Sequence, residues 1–374
     1  MSERIVVGLS DENLAEAECR GPNSECVAAL CECDPCDQGF PLAAGVWYIS
    51  TMLIVRADSL DAWRNLAMEE YLIGQVARYE AILFLWQCSD TVVIGKNQNP
   101  WSECNLQALA SGKGKLARRL SGGGAVFHDP GNLNFSFILA REHFSYDFTF
   151  SIILSALARM GVKAVRNERN GLMVDGGKIS GNAFCFRKNA AMHHGTLLVD
   201  ADLKKLERYL DPVLPALQTR AVRSIGDPVM NLRSLKPRWT CNKIAEGIAT
   251  EFRKATGVRK SAGNFSLNEH ELSRLTLKYG SRDWLYGETP DFEVSLGNRF
   301  QSLDFFCSMT VHQGHIQQVR VTSKTDPAPW LGELPVLLKG CRFESASIAA
   351  CLRGQSATLP FRDQVIAWIL SLHI

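Results

Sequence analysis

The run Arg118-Arg119-Leu120-Ser121-Gly122-Gly123-Gly124-Ala125-Val126-Phe127-His128-Asp129-Pro130-Gly131-Asn132-Leu133-Asn134-Phe135-Ser136 decides how the rest of the chain is read. Two arginines lead into three consecutive glycines, and a strand-like aromatic run with a second glycine turn follows. Glycine has no Cβ, so a bound group can approach the main chain closely. Successive backbone N–H groups in such a loop make a concave anion site, and arginine adds planar donors that stay charged. Two readings follow from these residues alone. One is a cradle for a phosphate or a polarised acyl group; the other is a glycine-rich hairpin with a solvated arginine pair.

Two further blocks lie downstream: Asn170-Gly171-Leu172-Met173-Val174-Asp175-Gly176-Gly177-Lys178-Ile179-Ser180-Gly181-Asn182-Ala183, then His193-His194-Gly195-Thr196. Asp175-Gly176-Gly177 is a hairpin signal and sets Lys178 at the start of the second strand. A lysine after a hairpin is usually solvated, and a buried histidine is usually structural.

Composition narrows the class. With 374 residues, 46% apolar and 21% charged, the chain has the make-up of a globular protein of two domains. No apolar run reaches membrane-spanning length. Net charge is +2 with basic residues scattered among acidic ones, so no nucleic-acid footprint is expected. Cys88, Cys185, Cys241 and Cys307 are dispersed and read as reduced core residues, in keeping with a reducing compartment.

Residues 1–50 differ from the remainder. They hold nine acidic side chains and two arginines, with Cys19, Cys26, Cys31, Cys33 and Cys36. A mitochondrial transit peptide would be arginine-rich and acid-poor. Cys31-x-Cys33-x-x-Cys36 lacks an obvious fourth zinc ligand. The expectation is a mobile extension with no role in the site, and Met52 as an alternative start.

Further along, Met52–Val55 reads as a strand, and Asp58 or Ser59 as the cap of a helix presenting Trp63, Leu66, Ala67 and Tyr71 on one face. Strands are expected over Ile82–Trp86 and Thr91–Ile94, a helix over Cys104–Ala110, and a half-buried strand over Asn134–Leu139. Helices follow over Phe148–Met160, Ala201–Leu210 and Cys241–Ala255. Gly257–Asn264 reads as a linker. Past it come a helix near Glu269–Tyr279, strands Leu303–Val311 and His315–Thr322 about a Gln313-Gly314 turn, and terminal helices. The expected domains are 51–258 and 259–374.

The Arg-Arg-x-Ser-Gly-Gly-Gly loop, the Lys-Ile-Ser-Gly segment and the His-His-Gly turn, in that order, resemble the lipoate–protein ligase A family with its eukaryotic lipoyltransferase branch. Gly95-Lys96-Asn97-Gln98-Asn99-Pro100-Trp101, Glu103-Cys104-Asn105, Ala67-Met68-Glu69-Glu70, Arg223-Ser224 and Asn231-Leu232 are secondary matches. The resemblance runs from about Met52 to the C-terminus. It implies an α+β fold: a mixed β-sheet packed with helices, as in biotin/lipoate ligases, plus a small α+β C-terminal domain. It also implies that lipoate, activated with ATP and Mg2+ as lipoyl-AMP, is attached to a lysine of a carrier. The carriers implied are the lipoyl domains of 2-oxoacid dehydrogenase E2 subunits and the glycine cleavage H protein. The chain would act as a monomer, without nucleic acid or membrane, in mitochondria if eukaryotic and in the cytoplasm otherwise.

By the same resemblance, Lys178 is the catalytic residue, contacting acyl carbonyl and phosphate. Arg118, Arg119, Ser121, Gly122, Gly123 and Gly124, with Ala125, Val126, Phe127, His128 and Asn132, shape the acyl and phosphate pocket. Asn170, Ser180, Gly181, Asn182, Ala183, His193, His194, Gly195 and Thr196 lie beside the adenylate. No protein metal ligand is expected. Related octanoyltransferases use a covalent cysteine placed where this chain has Asp211–Pro215, so Cys185 reads as core and a thioester route is not expected. One departure stands out: bacterial-type ligases have Asp before Leu where this chain has Gly171, and that carboxylate helps manage magnesium and triphosphate. Hence three readings: an ATP-dependent ligase, a lipoyltransferase using pre-formed lipoyl-AMP, and a pseudoenzyme that binds lipoyl domains. A biotin ligase fits the three blocks less well.

Overall fold

The computed structural model describes residues 49–214, 217–258, 265–300, 303–323, 329–354, 361–372 and 374. The acidic cysteine-bearing segment and its Cys31, Cys33 and Cys36 lie outside the described residues. Ile49 is already buried in the main core.

A five-stranded sheet carries the molecule, in the order Met52–Arg56, Ala81–Trp86, Asn132–Ala140, Ala190–Leu198, Asn182–Phe186. The first pair is parallel and the rest antiparallel. The central strand is not half-buried, as its alternation predicts; all nine residues are buried. Its two faces look at different cores. Leu133, Phe135, Phe137 and Leu139 pack with Ile152, Ile153, Ile248 and Phe252 of helices Tyr146–Arg159 and Cys241–Thr256. Ile138 and Ala140 pack with Leu66, Tyr71 and Leu72 of helix Ala62–Ile73. The polar members Asn134 and Ser136 fall on that second face, where the pocket opens.

Helix starts follow from side-chain caps. Asp61, rather than Asp58 or Ser59, accepts the Trp63 N–H at 2.9 Å. Ser145 accepts from Phe148, so that helix begins two residues before Phe148. The expected helix over Cys104–Ala110 is two short ones, Pro100–Glu103 and Leu106–Ser111, because Asn99 and Asn105 each start their own turn. Asp175 and Gly176 both have positive φ, 48° and 81°, as a two-residue hairpin between Leu172–Val174 and Gly177–Ser180 requires.

A three-stranded sheet of Lys115–Arg118, Thr91–Ile94 and Val126–His128 leaves the glycine loop spanning its end. A Cβ on Gly95 would lie 2.3 Å from the Gly123 carbonyl oxygen, so only glycine lets the two loops meet.

A four-stranded sheet built mainly from the chain past residue 258 has the order Gln218–Thr219, Phe292–Phe300, Leu303–His312, His315–Ser323, its first strand coming from before that point. The strand Phe292–Phe300 had no counterpart in the sequence reading, although Phe292, Val294 and Leu296 alternate with exposed neighbours. Helix Glu269–Gly280 packs elsewhere: Leu272, Leu275 and Tyr279 join the core of helix Ala62–Ile73, with Arg64–Glu269 and Lys278–Glu70 ion pairs alongside. Cys88, Cys185, Cys241 and Cys307 are free and buried, as is Cys104, whereas Cys341 and Cys351 are disulfide-bonded.

Arg118 ties these parts together. It is fully buried and donates to the carbonyls of Gly95, Lys96 and Gln98 on one side and of Trp284 and Leu285 on the other, and to Thr289 Oγ1. Trp284 Nε1 answers with a bond to the Arg118 carbonyl at 2.8 Å. Burial pushes the guanidinium down to about 10, still charged at neutral pH. Arg118→Met strands several buried carbonyls, and we expect a loss of about 3 kcal/mol or more in urea unfolding. Arg118→Lys should recover only part of it, because an ammonium lacks the fork. A midpoint unchanged in Arg118→Met would contradict this role.

Candidate active site

A cavity of about 330 Å³ opens between the main sheet, the glycine loop, the Lys178 hairpin and the segment 222–227. This falls within the usual range for a small-molecule site. Leu66, Trp86, Val93, Val126 and Ala183 give it apolar walls. Of the residues expected at the site, it brings together Arg119, Gly123, Gly124, Ala125, Val126 and His128 from the loop. Lys178, Gly181, Asn182, Ala183, His194, Gly195 and Thr196 come from the other wall. Arg118, Ser121, Gly122, Phe127, Asn132, Asn170, Ser180 and His193 are not among its lining residues.

The arginine pair spends its donors mainly on main-chain carbonyls. Adjacent residues leaving a strand point to opposite faces. Arg118 therefore faces the Trp284 turn, and Arg119 turns inside the loop. There Arg119 donates to the carbonyls of Val93, Gly122 and Gly124 and to Ser121 Oγ. Burial lowers its pKa to about 10. In a trans peptide the N–H points opposite to the carbonyl, so the N–H groups of Gly123 and Ala125 turn away from Arg119. That of Ala125 meets Ser224 Oγ at 2.8 Å. The arginine thus organises the cradle from behind.

The cations at the cavity are Arg119, already spent on the loop carbonyls, and Lys178, Arg169 and Arg223. Lys178 Nζ lies 2.9 Å from Asp227 Oδ2, and Arg169 binds the other oxygen of the same carboxylate. The Lys178 hydrogen bond, ahead of the two positive charges, holds the Asp227 carboxyl below the usual carboxylate range. Arg169 and Asp227 belonged to no motif and were missed. Glu69, Arg223 and Ser224 stood in secondary matches whose roles the sequence did not give.

His194 lies in a buried relay. Its Nε2 is 2.6 Å from Ser121 Oγ, and its Nδ1 is 3.0 Å from Glu69 Oε1. Ser–His–carboxylate order resembles an acyl-transfer triad, but Ser121 is 2% exposed, does not line the cavity and also takes the Arg119 Nε–H. The relay anchors the loop to helix Ala62–Ile73 and is not a nucleophile's machinery. His193 lies among Phe135, Phe137, Phe150 and Phe184, bonded to Thr149 Oγ1 and Asn182 Oδ1. It orients Asn182, whose amide donates to the Asn170 carbonyl at 2.7 Å. The His-His-Gly block is not a turn, for it lies within strand Ala190–Leu198. Gly195 is needed because a Cβ there would lie 2.3 Å from Asn182 Oδ1. Cys185 is buried with its thiol pKa raised by desolvation, consistent with a core residue.

The sequence model of the lipoyl protein ligase A/B catalytic domain matches residues 61–253. The chain belongs to this family. Among solved structures, Plasmodium falciparum LipL1, determined in complex with lipoate, is similar at 25% identity and a TM-score of 0.55, over 86% of this chain and 99% of that one. A bipartite lipoate–protein ligase from Thermoplasma acidophilum, studied with its E2 lipoyl domain, shares the fold at 21% identity and a TM-score of 0.53, over 63% and 96%. A lipoate-protein ligase A bound with ATP does so at 22% identity and 0.52, over 63% and 98%. The family and fold make this a lipoate-attaching enzyme, and the cavity described above lies inside the matched domain.

Burial pushes His128 down to about 3 and His193 well below its ordinary value, so both are neutral in the folded protein. In the unfolded chain they titrate near 6.5. Between those values the unfolded state binds more protons, so stability is fully present above about pH 6.5 and falls on acidification, by about 1.4 kcal/mol per pH unit for each histidine. We expect the urea midpoint to drop markedly from pH 7 to pH 5, and His128→Gln to make that slope shallower. A flat profile would contradict buried neutral histidines.

Proposed function

We propose that the protein attaches lipoate to a lysine of lipoyl carrier domains through lipoyl-AMP. The observation that carries this reading is Lys178, an ammonium held at a cavity whose other walls are largely apolar. The apolar walls suit the acyl chain, each buried CH2 contributing about 0.8 kcal/mol. In the first half-reaction the lipoate carboxylate attacks the α-phosphate of ATP and pyrophosphate leaves. In the second, the carrier's lysine amine attacks the acyl carbonyl, the C–O bond to phosphate breaks, and AMP departs. Lys178 stabilises charge on the carbonyl oxygen and the phosphate as it develops. Gly123, Gly124, Asn182 and Thr196 give close backbone approach and polar partners to the nucleotide end. Among the described residues no three His, Cys, Asp or Glu side chains gather as a metal site, so Mg2+ would be held mainly by triphosphate oxygens. The E2 lipoyl domain beside the Thermoplasma ligase supports lipoyl domains as acceptors; the glycine cleavage H protein and a monomeric state extend the same reading.

Transfer from pre-formed lipoyl-AMP is the second reading, favoured by Gly171. A Cβ there would lie 3.2 Å from the Asn167 amide and 3.3 Å from Lys178 Cε. The test is full-length protein with lipoate, ATP and Mg2+ against supplied lipoyl-AMP, scored by the mass of a carrier domain. Lys178→Ala should slow transfer from lipoyl-AMP by about 100-fold or more, with melting little changed; near-normal single-turnover transfer would sink the assignment.

Gly171→Asp should raise the ATP-dependent half-reaction selectively. Its φ is not among the positive values, so the obstacle is local crowding by two side chains that can shift. If the wild type already forms lipoyl-AMP as fast as it uses it, Gly171 is no lesion.

A further inference from the structure

The segment 222–230 crosses the cavity and is fastened at both ends. At one end the Val222 N–H donates to the Asn97 carbonyl at 3.0 Å, and the Ser224 N–H to Glu103 Oε2 at 3.0 Å. Glu103 is buried and also holds Gln98. At the other end Lys178 N–H donates to the Pro228 carbonyl at 2.8 Å, and Met230 N–H to the Lys178 carbonyl at 2.9 Å. Two glycines admit the strap: a Cβ on Gly124 would lie 3.1 Å from Ser224 Oγ, and one on Gly177 2.9 Å from Met230 Cβ. Asp227 sits on this strap, its side chain 9% exposed, between Lys178 at 24% and Arg169 at 50%.

The lysine proposed to stabilise the developing charge, Lys178, therefore has a carboxylate on it, brought from 49 residues further along the chain. Among the described residues this is the carboxylate that Lys178 pairs with. A structural ion pair would hold the strap in place, but the strap is already fastened by the backbone bonds above. What the carboxylate does instead is occupy the meeting point of two cations inside a ligand-sized cavity. An acyl-phosphate linked to a nucleoside carries the same single negative charge, shared by two non-bridging oxygens that the same cations can meet.

We propose that Asp227 is the pocket's resident counter-ion, a positioning residue that keeps Lys178 and Arg169 aimed at one point and is exchanged for the anionic group of the incoming adenylate. This rests on the functional reading above. It makes Asp227 a determinant of specificity: an anionic ligand must displace it, whereas a neutral ligand of the same acyl chain need not. Removing the negative charge while keeping the shape leaves two cations without their partner. Anion affinity then rises, and neutral-ligand affinity stays where it was.

The test uses the full chain, wild type against Asp227→Asn, with Asp227→Ser as a second variant and Asp227→Glu as the conservative one. Titration calorimetry is run with two probes: a lipoyl sulfamoyl-adenosine, whose acyl sulfamate is anionic, and lipoamide, which is neutral. Melting temperature is recorded for each protein. The expected result is that Asp227→Asn and Asp227→Ser bind the anionic probe about tenfold tighter or better, lipoamide within about twofold, and Asp227→Glu near wild type. The gain should shrink as salt is raised. Wild-type binding of the anionic probe with no gain in either variant would overturn the proposal alone. An equal change for both probes would do the same, marking Asp227 as structural. If neither wild type nor variants bind either probe, the lipoate reading falls and the proposal with it.

Discussion

Two adjacent buried arginines that spend their donors on main-chain carbonyls set the shape of the pocket. A guanidinium removed from water has to find several acceptors at once, and a loop of three glycines has carbonyls that can turn to meet it. Arg119 gathers those of Gly122 and Gly124, which fixes the loop in the one conformation that satisfies the charge. Arg118 does the same for the Gly95–Gln98 turn and the Trp284–Leu285 carbonyls. The glycines supply freedom and the arginines remove it. Either alone would give a floppy loop or a buried unpaired charge.

The same logic runs through the histidines. His194 and His193 are neighbours on one strand, so they face opposite sides of the sheet. One joins Glu69 and Ser121 beside the cavity, and the other enters the aromatic core and holds Asn182. His194 lines the cavity with both ring nitrogens engaged, and His193 fixes Asn182, which lines it too. Leaving either network half-satisfied would be costly. This explains why acid–base residues surround a cavity whose proposed chemistry depends mainly on a lysine.

Much of the fold was legible because it rests on local rules. Asp175-Gly176 and Gln313-Gly314 specify their hairpins by positive φ, and Thr91–Ile94 and Cys241–Thr256 carry strand and helix patterns that survive in the structure. What was not legible depends on partners far along the chain. The alternation of Asn134–Leu139 reads as one wet face, yet Asn134 lines the cavity and Ser136 donates to the buried Glu69, a setting that only the second core creates. Strand Phe292–Phe300 was passed over although its alternation is regular. At the site, the three motif blocks led to Lys178 and the loop, and named the arginines as ligand donors because an arginine beside glycines usually meets an anion. That they meet carbonyls instead is set by which side of the strand each leaves. Arg169 and Asp227 are invisible in one dimension, since nothing local marks a carboxylate that will reach a lysine 49 residues away.

The foundations of the loop extend past residue 258. Trp284 and Arg118 exchange hydrogen bonds in both directions, and helix Glu269–Gly280, which leads into that turn, is packed against the helix that carries Glu69. Glu69 in turn holds His194, and His194 holds Ser121 at the start of the glycines. The loop is thus clamped from two sides by elements that converge on one helix. A displacement of Glu269–Gly280 would reach the cavity through two routes, the Arg118 carbonyl bonds and the Glu69 relay. The part of the chain that carries none of the family's three motif blocks is for this reason part of the site's rigidity, and the matched catalytic segment 61–253 does not contain every residue that shapes its own pocket.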